Sequence, residues 1–187
     1  MPPSPIVQTE TCIVRPYDML DAESTAEHAN NAAIVKWMRP GFPHPYTVDE
    51  RRKWLESVVS SSPTYDFAIC PVDKLDHSDY DSIPAIGGIG VKPRSNVESR
   101  TMGVGYWLGE SYWGRGIATA AVKGFSAWAF EAFPHLLRLE AEVFAHNVAS
   151  ARVLTKAGYT LEGRKRQAIE KDGVVMDLLV FGLLRDE

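Results

Sequence analysis

The stretch from Gly103 to Val122, GVGYWLGESYWGRGIATAAV, constrains this chain more than any other. Its first part, GVGYWL, reads as a strand ending at Leu108. A short turn follows, then WGRGIAT, then a helical pattern from Ala118 to Phe130. Ala118, Ala121, Val122, Phe125, Trp128 and Ala129 recur at the helical period and define one apolar face. Gly114 and Gly116 flank Arg115 just where that helix opens. Without side chains there, successive backbone N–H groups can point outward together. With the positive end of the helix dipole, they make a seat for phosphate. The Arg115 guanidinium can add a charge-assisted contact.

Three phosphate-binding patterns compete for this segment. A Walker A loop requires Gly-Lys-Ser/Thr at fixed spacing, which the chain lacks. A dinucleotide fingerprint requires a third glycine where Thr119 stands, and the earlier run Gly87 to Gly90 opens no helix. The third pattern is the pyrophosphate loop of acetyl-CoA enzymes, R/Q-x-x-G-x-G/A after a strand with an aromatic-apolar end.

Composition narrows the setting. The 187 residues suffice for one domain with a sizeable core, and one domain over residues 1–187 is expected. Residues 1–10 (proline-rich) read as a flexible tail and 71–84 as a polar loop. A net charge of -4 argues against a general nucleic-acid binder. The N-terminus lacks a signal peptide's basic start and apolar stretch, and no apolar run approaches the roughly 20 residues that span a bilayer. A cytoplasmic protein with no membrane partner is expected. Cys12 and Cys70 sit in apolar, strand-like runs outside any zinc spacing, and read as reduced core thiols. Asp73, Asp76, Asp79 and Asp81 lack the glycine and closing glutamate of a calcium loop, so no metal site is expected.

Periodicity supplies the element order. Thr11–Arg15 reads as a strand, and Met19–Ala33 as a helix capped by Asp18, with Leu20, Ala26 and Ala29 facing inward. Prolines and a glycine keep Trp37 to Tyr46 irregular. Thr47 and Glu50 form a capping box for a helix to about Val59, with Trp54, Leu55, Val58 and Val59 on its apolar face. Tyr65–Cys70, Ala85–Val91, Gly103–Leu108 and Leu137–Phe144 read as strands. Val148–Ala157 reads as a helix stopped by Gly158. Tyr159–Glu162 and Val174–Leu184 close the chain as strands, with Asp172-Gly173 as the turn between them. This order predicts an α/β (α+β) mixed sheet with helices packed on it.

Gly103 to Val122 resembles the acetyl-CoA motif of the GNAT superfamily of N-acetyltransferases. Asn147 to Gly163 (NVASARVLTKAGYTLEG) resembles the helix and strand that follow it in the RimJ/RimL-like branch, which acts on ribosomal-protein N-termini. The G-x-x-x-D turn Gly173 to Asp177 fits that branch too. The resemblance is clear over residues 100–182 and extends by element order from Thr11 to Val91. Two such segments in this order are far more specific than a lone glycine loop. The chain departs from the family at Trp113, where Gln or Arg is usual.

The resemblance implies a single central, mostly antiparallel sheet of about seven strands, splayed at the CoA site, with about four helices. It implies acetyl-CoA as cosubstrate and direct attack by a primary amine. Tyr106, Trp107 and Leu108 would line the pantetheine arm, and backbone amides near Trp107 and Leu108 would serve as oxyanion donors. Strand packing is the competing role for Tyr106 and Trp107. The phosphate seat would comprise Trp113, Gly114, Arg115, Gly116, Ile117, Ala118 and Thr119. Asn147 fits both a plain N-cap and a pantetheine contact. Ser150 fits both a backbone-bonded first-turn serine and a proton donor to the leaving thiolate. Lys156, like Arg152, fits a solvated charge or a CoA contact.

An α-amino group, with a pKa of about 8, is about one-tenth neutral at pH 7; a lysine amine is neutral in less than about one part in a thousand. An N-terminal acceptor therefore needs less help from a base. Glu142 is the candidate base, acting directly or through water, with an outward-facing strand carboxylate as its alternative. Glu140 has the same phase. Relatives place a carboxylate just after the Gln167-Ala168 pair; here Ile169 stands there, followed by Glu170. His146 reads as a surface turn residue. Trp37, Phe42 and Tyr46, near His44, would line the acceptor site or form a hydrophobic lid. Arg164, Lys165 and Arg166 would guide an acidic acceptor or lie in a solvated loop.

The expected activity is N-acetyl transfer to a protein N-terminus. Alternatives are a small-molecule amine acetyltransferase (polyamine, amino sugar or xenobiotic) and a non-catalytic acyl-CoA sensor, with a dinucleotide oxidoreductase more distant. A monomer or homodimer is expected.

Overall fold

Three helices open on a polar side chain that accepts an early backbone N–H: Asn31, Thr47 and Asn147. The computed structural model describes residues 4–72 and 83–187. The aspartates rejected above as a calcium loop lie outside them.

In chain order the elements are β1 (Val7–Gln8), β2 (Cys12–Pro16), α1 (Ala22–Ala29), α2 (Ala32–Val35), α3 (Val48–Val59), β3 (Asp66–Pro71) and β4 (Gly87–Pro93). There follow β5 (Thr101–Leu108), α4 (Ile117–Ala132), β6 (Arg138–Phe144), α5 (Val148–Lys156), β7 (Thr160–Lys171) and β8 (Val174–Leu184). The strands are hydrogen-bonded in the order β1-β2-β3-β4-β5-β6-β8-β7 as one mixed sheet. The mixed α/β sheet that the element order predicts is found, mostly antiparallel as the resemblance implies, with one strand more than expected. The extra strand is β1, inside the segment read as a tail: Val7 pairs with Val14 and is buried.

The chain divides into two compact units, Met1–Gly90 with Tyr106–Phe125, and Val91–Gly105 with Ser126–Glu187. In the first unit, β2 and β3 pair antiparallel, and Cys12, Ile13, Val14, Ala68, Ile69 and Cys70 are buried. Burial pushes the Cys70 thiol up to about 12 and also raises that of Cys12, so both rest as neutral core thiols. The Thr47–Glu50 capping box opens α3 as expected. Its apolar face is narrower than expected: Leu55 and Val58 are buried, while Val59 is 50% exposed.

The long helix expected over Met19–Ala33 is broken into a 3-10 turn (Met19–Asp21), α1 and α2. Asp18 does cap, but in a box with Asp21 that closes the short turn and turns Leu20 outward, 84% exposed. Asp21 takes the buried place instead. Its carboxylate accepts two hydrogen bonds from Arg15, at 2.8 and 2.7 Å, and both residues are less than 5% exposed. Removing one partner of such a pair strands the other charge without water. Asp21→Ala is therefore expected to destabilise the fold by about 3–5 kcal/mol, read as a lower denaturation midpoint. A loss below about 1 kcal/mol would mean that water reaches Arg15.

In the second unit, β6 and β8 pair antiparallel from Arg138↔Leu184 to Phe144↔Leu178. Parallel pairing of β5 with β6 covers Thr101–Gly103 against Arg138–Glu140, so Val104 and Gly105 lie beyond its last paired residue. Helix α5 ends at Lys156 with Ala157 as its C-cap, and Gly158 adopts φ +101 as the expected C′ glycine. The final hairpin is longer than expected, because β7 continues past Glu162 to Lys171. Arg164, Lys165 and Arg166 therefore lie in a strand, not a loop.

Candidate active site

The glycine turn folds as its composition predicts. Gly114 and Gly116 adopt φ +76 and +81, left-handed conformations that strain any residue bearing a Cβ. A Cβ at either would meet nothing within 4 Å, so space opens from both. The turn leads directly into α4, whose Ala121, Val122, Phe125 and Ala129 are fully buried; Ala118 and Trp128 are only partly so. Arg115 is exposed, its guanidinium 5.2 Å from the Tyr112 ring centre. Alternating left-handed glycines at a helix start form the kind of amide concavity that holds an anion.

Trp113 does something that residue type alone did not reveal. Its indole N–H donates to the Leu108 carbonyl at 2.7 Å, tying the glycine turn back to the end of β5. The intervening 3-10 turn, Glu110–Tyr112, is closed by the Tyr112 N–H donating to the Gly109 carbonyl at 3.0 Å and the Trp113 N–H donating to the Glu110 carbonyl at 3.1 Å, while the Gly109 N–H donates to the Ile86 carbonyl at 2.8 Å. A Gln or Arg at 113 would present polar atoms outward; tryptophan clamps the turn instead.

Of the aromatics expected at the acceptor, Phe42 and Tyr46 come together, with ring centres 4.9 Å apart, and Phe42 also meets Trp107 at 5.9 Å. Tyr46 is buried with Ala26 and Ala29. Trp37 stands apart from that cluster, with the Lys36 ammonium over its ring at 5.0 Å. Tyr106 is half-buried and Leu108 buried. The same unit contains a cavity of about 420 Å³ lined by Glu27, His28, Asn30, Asn31, Glu110 and Ser111, which the sequence reading did not single out.

In the second unit Asn147 is the α5 N-cap, accepting from the Ser150 N–H at 3.2 Å. The Ser150 side chain is not what makes that bond. Lys156 is exposed in the last turn of α5. Glu142 accepts from Lys165 Nζ at 2.8 Å, so taking a proton from an amine would require sharing or releasing that ammonium. Glu140 is spent on Arg94 and Arg138, and Arg138 is shared with Glu162. Asp177 accepts from Arg164 Nε at 2.6 Å and the Gln167 N–H at 2.8 Å. Those bonds hold its carboxyl below the usual range.

Among the described residues no group of His, Cys, Asp or Glu could hold a metal ion, and no helix is long and apolar enough to cross a membrane.

Comparison with known proteins gives a consistent result. The chain is 28% identical over 189 residues to the Bacillus subtilis protein named Probable N-acetyltransferase YjcK, covering 97% of this chain and 98% of that protein. Its fold superposes on Mycobacterium smegmatis RimJ in complex with CoA-disulfide with a TM-score of 0.76 at 23% identity, covering 94% of this chain and 82% of that one. A ribosomal-protein alanine acetyltransferase from Vibrio fischeri gives a TM-score of 0.76 at 24% identity, covering 97% of each chain. A family model described as an acetyltransferase (GNAT) domain matches residues 12–160. With that match spanning most of its length, the chain belongs to the GNAT family of acetyltransferases.

Proposed function

We propose that this enzyme transfers the acetyl group of acetyl-CoA to the α-amino group of a protein N-terminus. One observation carries the proposal: the paired left-handed glycines, Gly114 and Gly116, opening into free space at the start of α4. That turn has the amides, the dipole and the Arg115 charge that a diphosphate needs, so the residues present fit the cosubstrate. RimJ, whose fold is similar, was solved with a CoA-disulfide, and the Vibrio fischeri protein is named for a ribosomal-protein alanine; both support the reading.

When bound, acetyl-CoA supplies an activated thioester carbonyl. The glycine turn would hold its diphosphate, with Ile117, Ala118 and Thr119 leading into the helix. Backbone amides near Trp107 and Leu108 would stabilise the charge that develops on the carbonyl oxygen. As the amine nitrogen bonds to the carbonyl carbon and the carbon–sulfur bond breaks, the Ser150 hydroxyl would pass a proton to the departing thiolate while taking one from a solvent water. Asn147, by capping α5, would hold Ser150 in position. The proton lost by the amine would pass to Glu142, directly or through water, once Lys165 shares its hold on that carboxylate. Phe42 and Tyr46 would flank the acceptor. The two reduced, buried thiols suit a cytoplasmic setting.

A second reading, acetylation of a small polycationic amine, is favoured by the cavity whose lining includes both Glu27 and Glu110. Incubation with acetyl-CoA and a panel of free N-terminal peptides, polyamines and amino sugars separates the two. Thiol release with mass spectrometry is expected to show acetylated peptide α-amines. Turnover confined to polyamines would replace the proposal with the second reading.

A further inference from the structure

The sequence places three cations in a row, Arg164, Lys165 and Arg166, and the fold treats them differently. Arg164 is bound to Asp177 and Lys165 to Glu142. The Arg166 guanidinium forms no ion pair or hydrogen bond among the described residues. It lines an open cavity of about 580 Å³ with Gln167 and Asp177.

This cavity exists because the final hairpin carries a bulge. Lys165 pairs with Leu178 and Ile169 with Met176, so Arg166, Gln167 and Ala168 stand opposite Asp177 alone. Gln167 adopts φ +49, a strained conformation for a residue with a side chain. The Asp177 carboxylate holds the bulge open by accepting both the Gln167 N–H and Arg164 Nε. Those two bonds engage the Asp177 carboxylate within the bulge, Arg166 also acts on it electrostatically, and Arg166 and Gln167 line the cavity as further donors. The Asp177 carbonyl in turn accepts the Ala145 N–H at 2.9 Å, two residues before the α5 cap at Asn147. The bulge is therefore tied to the turn that carries the proposed Asn147 and Ser150.

We propose that this cavity binds a carboxylate of the acceptor through Arg166 and Gln167, with Asp177 as the positioning residue. The inference rests on the acetyltransferase reading and narrows its substrate to an amine whose neighbouring residues are acidic. A guanidinium matches a carboxylate in charge and in its forked geometry, and repels an ammonium-rich acceptor.

The test uses the full chain and two synthetic peptides with the same free N-terminal residue, one with glutamates at its second to fourth positions and one with lysines. Thiol release is expected to give a kcat/KM about tenfold higher for the glutamate peptide, expressed mainly in KM. Arg166→Glu, at an exposed position, should remove or reverse that preference, and Arg166→Lys should keep part of it. Asp177→Ala should lose the preference as well, and the double variant with Arg166→Glu should lose no more, because the two act through one bulge. A lysine-peptide or polyamine preference in the unaltered protein, or an undiminished glutamate preference in folded Arg166→Glu, overturns the inference while acetyl transfer stands. Absence of transfer to any amine removes the acetyltransferase reading itself.

Discussion

Gly116→Trp is expected to leave a folded protein that no longer binds acetyl-CoA. Gly116 has φ +81, which costs a residue with a Cβ about 1–2 kcal/mol. That is a modest part of the roughly 5–15 kcal/mol that stabilises a domain. A Cβ there meets nothing within 4 Å, so the indole would not push into the core. It would occupy the space into which the turn's amides open, where the diphosphate is proposed to sit. Calorimetry should show affinity reduced by more than about 100-fold, or ~2.7 kcal/mol, with thermal unfolding still cooperative. Gly116→Ala carries the same backbone strain with far less bulk, so its affinity should fall between the two. A folded Gly116→Trp protein with undiminished affinity would move the coenzyme away from this turn.

The second large effect is expected from Ser150→Ala. Asn147 caps α5 by accepting the Ser150 backbone N–H, and alanine keeps that N–H. Substitution therefore removes the hydroxyl while the cap remains. If the hydroxyl protonates the leaving thiolate, kcat should fall at least roughly 100-fold, within the range of a lost general acid. Acetyl-CoA affinity should stay within about twofold, because the loss is felt only as the carbon–sulfur bond breaks. An equal fall in affinity and rate would make Ser150 a binding contact, and an unchanged rate would leave it a helix residue alone.

Several features were legible in the sequence because they depend on residues a few positions apart. The Thr47–Glu50 capping box, the buried face of α4, the Gly158 stop after α5 and the glycine turn all lie where the pattern put them. Each is set by local backbone geometry that a short window contains. Even there, one local device hid another. Apolar Leu20 read as core, but the Asp18–Asp21 box closed a tight turn and gave the buried position to Asp21.

What the amino-acid order determined by itself was the class of fold, the glycine turn proposed to hold phosphate, and the family. Only the tertiary structure decided which charges are already paired. Arg164, Lys165 and Arg166 are equivalent in a sequence, yet strand register and one bulge commit the first to Asp177 and the second to Glu142. The Trp113 indole found the Leu108 carbonyl for the same reason. Turn and helix signals act through neighbours along the chain, whereas the partner of a side chain depends on which segments the sheet brings alongside one another.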